Sequence, residues 1–134
     1  MEVARDETYE LAAYDDVVRV RQQARAWAVE IGFSLVDQTK IVTAASELAR
    51  NTVEHGGGGT ARFRYLISGE RKGLRLDFVD SGPGIADVTL ALRDGYSTGT
   101  GLGLGLSGSR RLMNEFEIES TPGEGTRVSV SRWK

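Results

Sequence analysis

Glu47, Asn51 and His55, the last the chain's single histidine, recur at four-residue steps, so in a helix they project from one side. These residue types suit phosphoryl chemistry. Magnesium takes oxygen ligands in octahedral geometry and draws one or two of them from protein, leaving the rest to phosphates and water. An Asn carbonyl can be that protein ligand, and a carboxylate one turn away can orient an attacking hydroxyl or accept its proton. By helical angle the row flanks an apolar stripe of Ile41, Ala45, Leu48 and Thr52, which puts it at the rim of whatever the helix covers. A solvated helix edge has the same pattern, so the row gains meaning only beside other chemistry.

Three further stretches supply that chemistry. Asp80-Ser81-Gly82-Pro83-Gly84 ends a strand-like run abruptly. A carboxylate is acceptor-only, so Asp80 suits the exocyclic amine of adenine and repels the carbonyl oxygen of guanine. Gly82 and Gly84 let a flat base slide over bare backbone. A tight turn in which Asp80 bonds its own amides has the same sequence. Between Gly95 and Met113, glycines at 99, 101, 103, 105 and 108 alternate with leucines and hydroxyl residues and run into a helix-forming segment. Glycine amides and a helix N-terminus together cradle phosphate, although a surface loop has a similar composition. Five glycines in ten residues have little preference of their own, so phosphate contacts are expected to order them. Gly103-Leu-Gly105-Leu-Ser-Gly108 satisfies GxGxxG, but the polar residues 93–98 before it do not read as a buried strand, which argues against a dinucleotide fold. No GxxxxGK[ST] loop occurs. Lastly, Gly123-Glu124-Gly125-Thr126 offers the Thr126 hydroxyl to complete a base pocket, while by itself it is a hairpin turn.

The elements that hold these groups follow from periodicity and punctuation. Residues 7–12 read as an edge strand. Asp15 or Asp16 caps a helix over residues 17–31, in which Val17, Val20, Ala24, Trp27 and Ile31 keep helical spacing and Gly32 is the stop. Ser34 or Asp37 caps a second helix running to about His55, closed by Gly56 to Gly59. Residues 61–67 and 74–79 alternate as strands around a turn at 69–73. Residues 87–92 read as a short helix and 106–115 as another, with Leu112, Met113 and Phe116 available to a core. Residues 117–120 and 127–133 read as a closing hairpin. Helices first, then paired strands with a helix between them, predict an α/β sandwich with one sheet and helices on one face.

Composition limits the rest. A chain of 134 residues reads as one domain able to bury a core without staples. A net charge of −2 with no basic block argues against nucleic acid. The sequence has no cysteine, no leader-like N-terminus and no apolar run near ~20 residues, which predicts a cytoplasmic domain that neither enters a membrane nor depends on disulfides.

Taken together, Glu47-Leu-Ala-Arg-Asn51, Asp80-Ser-Gly-Pro-Gly84, Gly101-Leu-Gly103-Leu-Gly105 and Gly123-Glu-Gly125-Thr126 occur in the order found in the GHKL (Bergerat-fold) ATPases. The chain resembles that family along nearly its whole length. Residues 41–51, 94–98 and 111–116 make it most similar to the small serine kinases of bacterial partner switching, the stressosome switch kinases first and the anti-sigma factors next. The resemblance implies a Bergerat two-layer α/β sandwich, residues 1–134 forming a single kinase domain, with one mixed, mostly antiparallel sheet carrying helices on one face. It implies ATP and Mg²⁺ as cofactors. Asn51 would hold the metal, Glu47 would act as base, and Asp80 would read adenine with Thr126 in support through water. Gly82 and Gly84 would line the base pocket, and Thr98, Gly99, Gly101, Leu102, Gly103, Leu104 and Gly105 would form the phosphate lid. The implied substrate is a serine or threonine on a STAS-domain antagonist. The implied second partner is a PP2C-type phosphatase or a sigma factor, with a homodimer also open.

Two features depart from the pattern. His55 stands where anti-sigma kinases often carry histidine, which keeps sigma-factor sequestration open. Residues 94–101 hold no Arg or Lys, so a cation for the γ-phosphate has to come from elsewhere, Arg110 and Arg111 being the candidates. With one histidine and no phosphoacceptor helix, a histidine autokinase is not expected. A nucleotide-dependent binding module without phosphotransfer is the remaining alternative.

Overall fold

The computed structural model describes residues 1–85 and 106–134, with Ser107 as backbone only. The chain opens with strand β1 (Glu2–Leu11) and then forms two helices. Helix α1 (Tyr14–Ile31) buries Val17, Val20, Ala24, Trp27, Ala28 and Ile31, one continuous face at helical spacing. Its start differs from expectation. Ala13 holds the N-cap position, and Asp16 accepts the Ala12 and Ala13 amides at 2.8 and 3.1 Å. The carboxylate therefore caps by reaching back from inside the first turn. Gly32, at φ 99°, ends the helix with its amide on the Ala28 and Val29 carbonyls. Helix α2 (Leu35–Glu54) starts as expected, with the Ser34 hydroxyl accepting the Asp37 amide at 3.2 Å.

Strands β2 (Gly59–Ser68) and β3 (Arg71–Asp80) follow, then the short helix α3 (Leu106–Leu112) and the hairpin β4 (Glu115–Thr121) and β5 (Gly125–Trp133). The five strands lie in the order β1-β2-β3-β5-β4. All four neighbouring pairs are antiparallel, so the sheet is not mixed among the described residues. Several boundaries also moved, β3 for one beginning at Arg71 inside the expected 69–73 turn, and two of the shifts have a clear cause. β1 begins five residues earlier than read (Glu2 against Glu7), because its polar side chains find partners that alternation does not reveal: Asp6 pairs with Arg62 at 2.6 Å and Arg5 with Glu30 at 3.0 Å. α3 stops at Leu112 rather than 115, because the Asn114 amide bonds the Ser131 carbonyl at 2.9 Å and starts β4. Phe116, expected to be available to a core, packs against it from β4. The expected helix over residues 87–92 lies outside the described residues.

Both long helices pack on one face of the sheet, and the core forms where they meet it. Trp27 is fully buried, stands edge-on to Phe63 at 5.6 Å and donates its indole N–H to the Tyr9 hydroxyl at 3.0 Å. Leu11, Ile41, Leu48, Leu74, Leu76 and Val130 complete it with no exposure above 1%.

The opposite face carries a buried charge. Asp77 is 5% exposed, and it accepts hydrogen bonds from Ser129 and from Arg64 at 2.6 Å, with Arg75 at 3.3 Å. Burial pushes this carboxyl up, but the Ser129 and Arg64 hydrogen bonds and the Arg75 charge together hold it below the ordinary carboxylate range. A depressed folded value means the stabilisation is present above the unfolded pKa and is lost as pH falls through the folded one. The stability advantage of the wild type over Asp77→Asn is therefore expected to be full at neutral pH and to shrink below about pH 4. Urea denaturation midpoints from pH 7 to pH 3 measure this, and a gap that does not change with pH would contradict it.

Candidate functional site

The C-terminal end of α2 and the C-terminal end of β3 meet, with Gly56 presenting bare backbone to the Asp80 turn. The His55 amide closes α2 on the Asn51 carbonyl at 2.9 Å, and the Gly56 and Gly58 amides return to Asn51 and Thr52. A Cβ on Gly56 would lie 2.4 Å from Asp80 Cγ, and one on Gly82 would lie 2.7 Å from Gly56 Cα. The Asp80 turn thus sits directly on the helix end. Sequence reading treated Gly56 only as part of a helix stop. The available signal was the length of the run, four glycines where one suffices to end a helix.

Asp80 is held from two directions. Its Oδ1 accepts the Gly82 amide at 2.9 Å and the Thr126 amide at 3.2 Å. A carboxylate has about four lone-pair sites, so acceptor capacity remains for a ligand donor. Thr126 comes from β5 in register with Asp80. Gly125 makes that register possible: it has φ 128°, and a Cβ there would lie 2.2 Å from the Asp80 carbonyl oxygen. The turn before it is tied down as well, the Gly123 amide bonding the Pro83 carbonyl at 2.7 Å.

Ser120, which sequence reading passed over, is a junction. Its hydroxyl accepts the Ile85 amide at 2.7 Å, lies 2.8 Å from the Thr126 hydroxyl and 3.2 Å from the Gly125 carbonyl oxygen. No local pattern marks it, because its partners are up to 35 residues away.

These elements enclose a cleft of about 490 Å³. Asn51, Asp80, Gly84 and Thr126 line it, together with His55 and an apolar wall of Leu48, Phe78, Ile85, Leu106 and Val128. An apolar slot with a few convergent polar groups at one end is the usual form of a small-molecule site. Gly82, expected to line it, instead backs the Asp80 turn against Gly56. Glu47 does not line it either. It lies one turn up α2, with its side chain 32% exposed and paired to Arg50 at 3.1 Å. His55 Nε2 is buried with no hydrogen-bond partner among the described residues. Thr98, Gly99, Gly101, Leu102, Gly103, Leu104 and Gly105 lie outside the described residues. No three His, Cys, Asp or Glu side chains converge into a metal cage among the described residues.

The sequence from 11 to 132 matches the histidine kinase-like ATPase domain, and the chain belongs to that family. Among curated relatives it is 45% identical over 118 residues to the serine/threonine-protein kinase RsbT of Bacillus subtilis strain 168, covering 88% of this chain and 89% of that protein. An anti-sigma F factor from Thermoanaerobacter sp. strain X514 is 29% identical over 119 residues, 84% of this chain and 82% of that one. Solved structures share the fold. The RsbU and RsbW domains of a Mycobacterium tuberculosis protein superpose with a TM-score of 0.66 at 23% identity, over 96% of this chain and 32% of that longer one. The mycobacterial sensor histidine kinase MprB superposes at 0.58 and 19% identity, over 96% and 97%. No helix among the described residues is long and apolar enough to cross a membrane.

The seating of Asp80 on Gly56 yields a test. Gly56→Ala forces the Asp80 carboxylate away from the new methyl group, and ADP affinity is expected to fall at least about tenfold, the equivalent of ~1.4 kcal/mol. Titration calorimetry measures it, and an unchanged affinity would remove Gly56 from the site.

Proposed function

We propose that this chain is an ATP-dependent protein serine/threonine kinase of a bacterial partner switch, phosphorylating a serine or threonine hydroxyl on a STAS-domain antagonist. In its released form it binds and activates a PP2C-type phosphatase. The observation that carries this reading is one cleft lined by Asn51, Asp80 and Thr126, in a chain 45% identical over 88% of its length to RsbT.

The residues present fit Mg-ATP. Asn51 contributes one hard oxygen donor at the cleft, as a magnesium ion bound mainly through phosphates requires. Asn51 would hold such an ion, whose chemistry there would be to neutralise charge on the nucleotide's phosphates. Asp80 accepts a hydrogen bond from the adenine amine while its Oδ1 is fixed by two backbone amides. Leu48, Phe78, Ile85 and Val128 exclude water from the faces of the base. Glu47 stands four residues before Asn51, about 6 Å along the helix axis, outside the cleft. That is where an acceptor hydroxyl arrives from another protein, and Glu47 orients it or takes its proton. The glycine run at 99–105 serves as the phosphate lid. The anti-sigma F relatives, 29% identical over 84% of the chain, support a second reading in which a sigma factor is the stoichiometric partner.

Catalysis and binding are separable by mutation. Glu47→Ala is expected to lower phosphotransfer to a STAS-domain substrate by ~10²–10⁴-fold while retaining nucleotide and partner. Asn51→Ala is expected to weaken Mg-ATP binding and transfer together. A radiolabel transfer assay run beside a pull-down reads both. Wild-type rates from Glu47→Ala would show that the base is another residue. A wild type that transfers nothing yet binds its partner tightly would replace the kinase with a binding module.

A further inference from the structure

We propose that Glu54 ties nucleotide binding in the cleft to a divalent cation: its carboxylate repels an uncomplexed nucleoside diphosphate or triphosphate and admits the magnesium complex. The proposal deepens the Mg-ATP reading given above and rests on it.

Glu54 is the last residue of α2, is exposed, and lines the cleft together with Asn51. Three residues after Asn51, it lies on the same side of the helix. Its place is electrostatically unfavourable. The C-terminal end of a helix carries the negative pole of the backbone dipole, which disfavours a carboxylate and prefers a cation. The last turn of α2 holds no basic residue, and Glu54 makes no hydrogen bond or ion pair among the described residues. Stability alone favours Lys, Arg or a neutral side chain at this position.

The rest of the cleft adds to the imbalance. Asp80 is a second carboxylate in the lining, and among the described residues no Lys or Arg lines it. His55 is the one other titratable side chain there, and Arg110 and Arg111 of α3 are not in the lining. Residues 86–105 hold one arginine and two aspartates by sequence, so their composition adds no net positive charge. A nucleotide brings several negative charges of its own to this acidic surface. Two carboxylates and the end of α2 repel that polyanion, and between apolar walls the repulsion is screened less than in open water. A divalent cation reverses the balance, because it cancels much of the phosphate charge and is itself attracted to Glu54. Magnesium keeps several waters of its shell, so Glu54 acts on the ion without replacing Asn51 as its protein ligand.

The test titrates ADP by calorimetry in excess magnesium and again in EDTA, and reads the ratio of the two dissociation constants. The wild type is expected to bind ADP at least about tenfold more tightly with magnesium. Glu54→Gln is expected to lower that ratio about three- to tenfold, mostly by tightening metal-free binding. Glu54→Lys lowers it further, and Glu54→Asp, which keeps the charge, keeps most of it. Glu70→Gln removes the same net charge at the opposite end of β3, roughly 30 Å of strand from Asp80, and is expected to leave the ratio unchanged. A Glu54→Gln ratio equal to the wild type's overturns the proposal while the nucleotide cleft stands. An equal fall from Glu70→Gln assigns the effect to net charge and overturns it too. A wild type that binds ADP equally with and without magnesium overturns the metal reading of Asn51 and this proposal together. A wild type that binds no ADP in either buffer overturns the nucleotide reading itself.

Discussion

Close backbone approach at the end of α2 is the constraint on which the site depends. Gly56, Gly82 and Gly125 each leave room where a Cβ would lie within 2.7 Å of the Asp80 residue or of another glycine's backbone. Removing side chains at these points lets a helix end, a strand turn and a hairpin share one small volume. It also brings three otherwise unrelated polar groups, Asn51, Asp80 and Thr126, to one cleft. The glycines therefore act on the site through packing. Only Gly84 among the expected pair lines the cleft itself, with φ 75° and the Thr121 carbonyl oxygen 2.5 Å from any Cβ it might carry.

The proposed division of labour follows from this arrangement. The groups proposed to meet the nucleotide stand near the ends of helices and strands, on elements fixed by the Trp27–Phe63 core and by register between β3 and β5. Glu47 stands outside the cleft, paired with Arg50 and partly exposed. A kinase acting on another folded protein needs that separation, because its acceptor cannot enter a cleft of about 490 Å³. The outer face of the sheet has a different character, with Asp77 buried among Arg64, Arg75 and Ser129.

Much of the fold was legible because its signals are local. Ser34 and Gly32 mark helix ends through their own conformational preferences, and the Val17-to-Ile31 and Ile41-to-Thr52 repeats record burial on one helix face. Where partners are distant, the signal vanished. The start of β1 depends on Arg62 and Glu30, and the end of α3 on Ser131, so neither boundary was readable from neighbouring residues. The antiparallel sheet depends on pairings no single strand discloses. At the site the same rule holds. Asp80 and Thr126 announce themselves as oxygen-bearing side chains beside glycines, and Asn51 by its four-residue helical step from Glu47. Gly56 and Ser120 are ordinary in sequence and join the cleft's framework only through what contacts them from 24 and 35 residues away.

The central claim is that Asp80 reads adenine through a charge-assisted hydrogen bond. Asp80→Asn keeps the size and the backbone contacts but sets an amide beside the adenine amine. Titration calorimetry with ADP, alongside circular dichroism to verify the fold, tests this most directly. The account predicts a loss of roughly 1.5–3 kcal/mol, about ten- to a hundredfold in affinity, with the fold intact. An Asp80→Asn chain that stays folded and binds ADP as tightly as the wild type would contradict it.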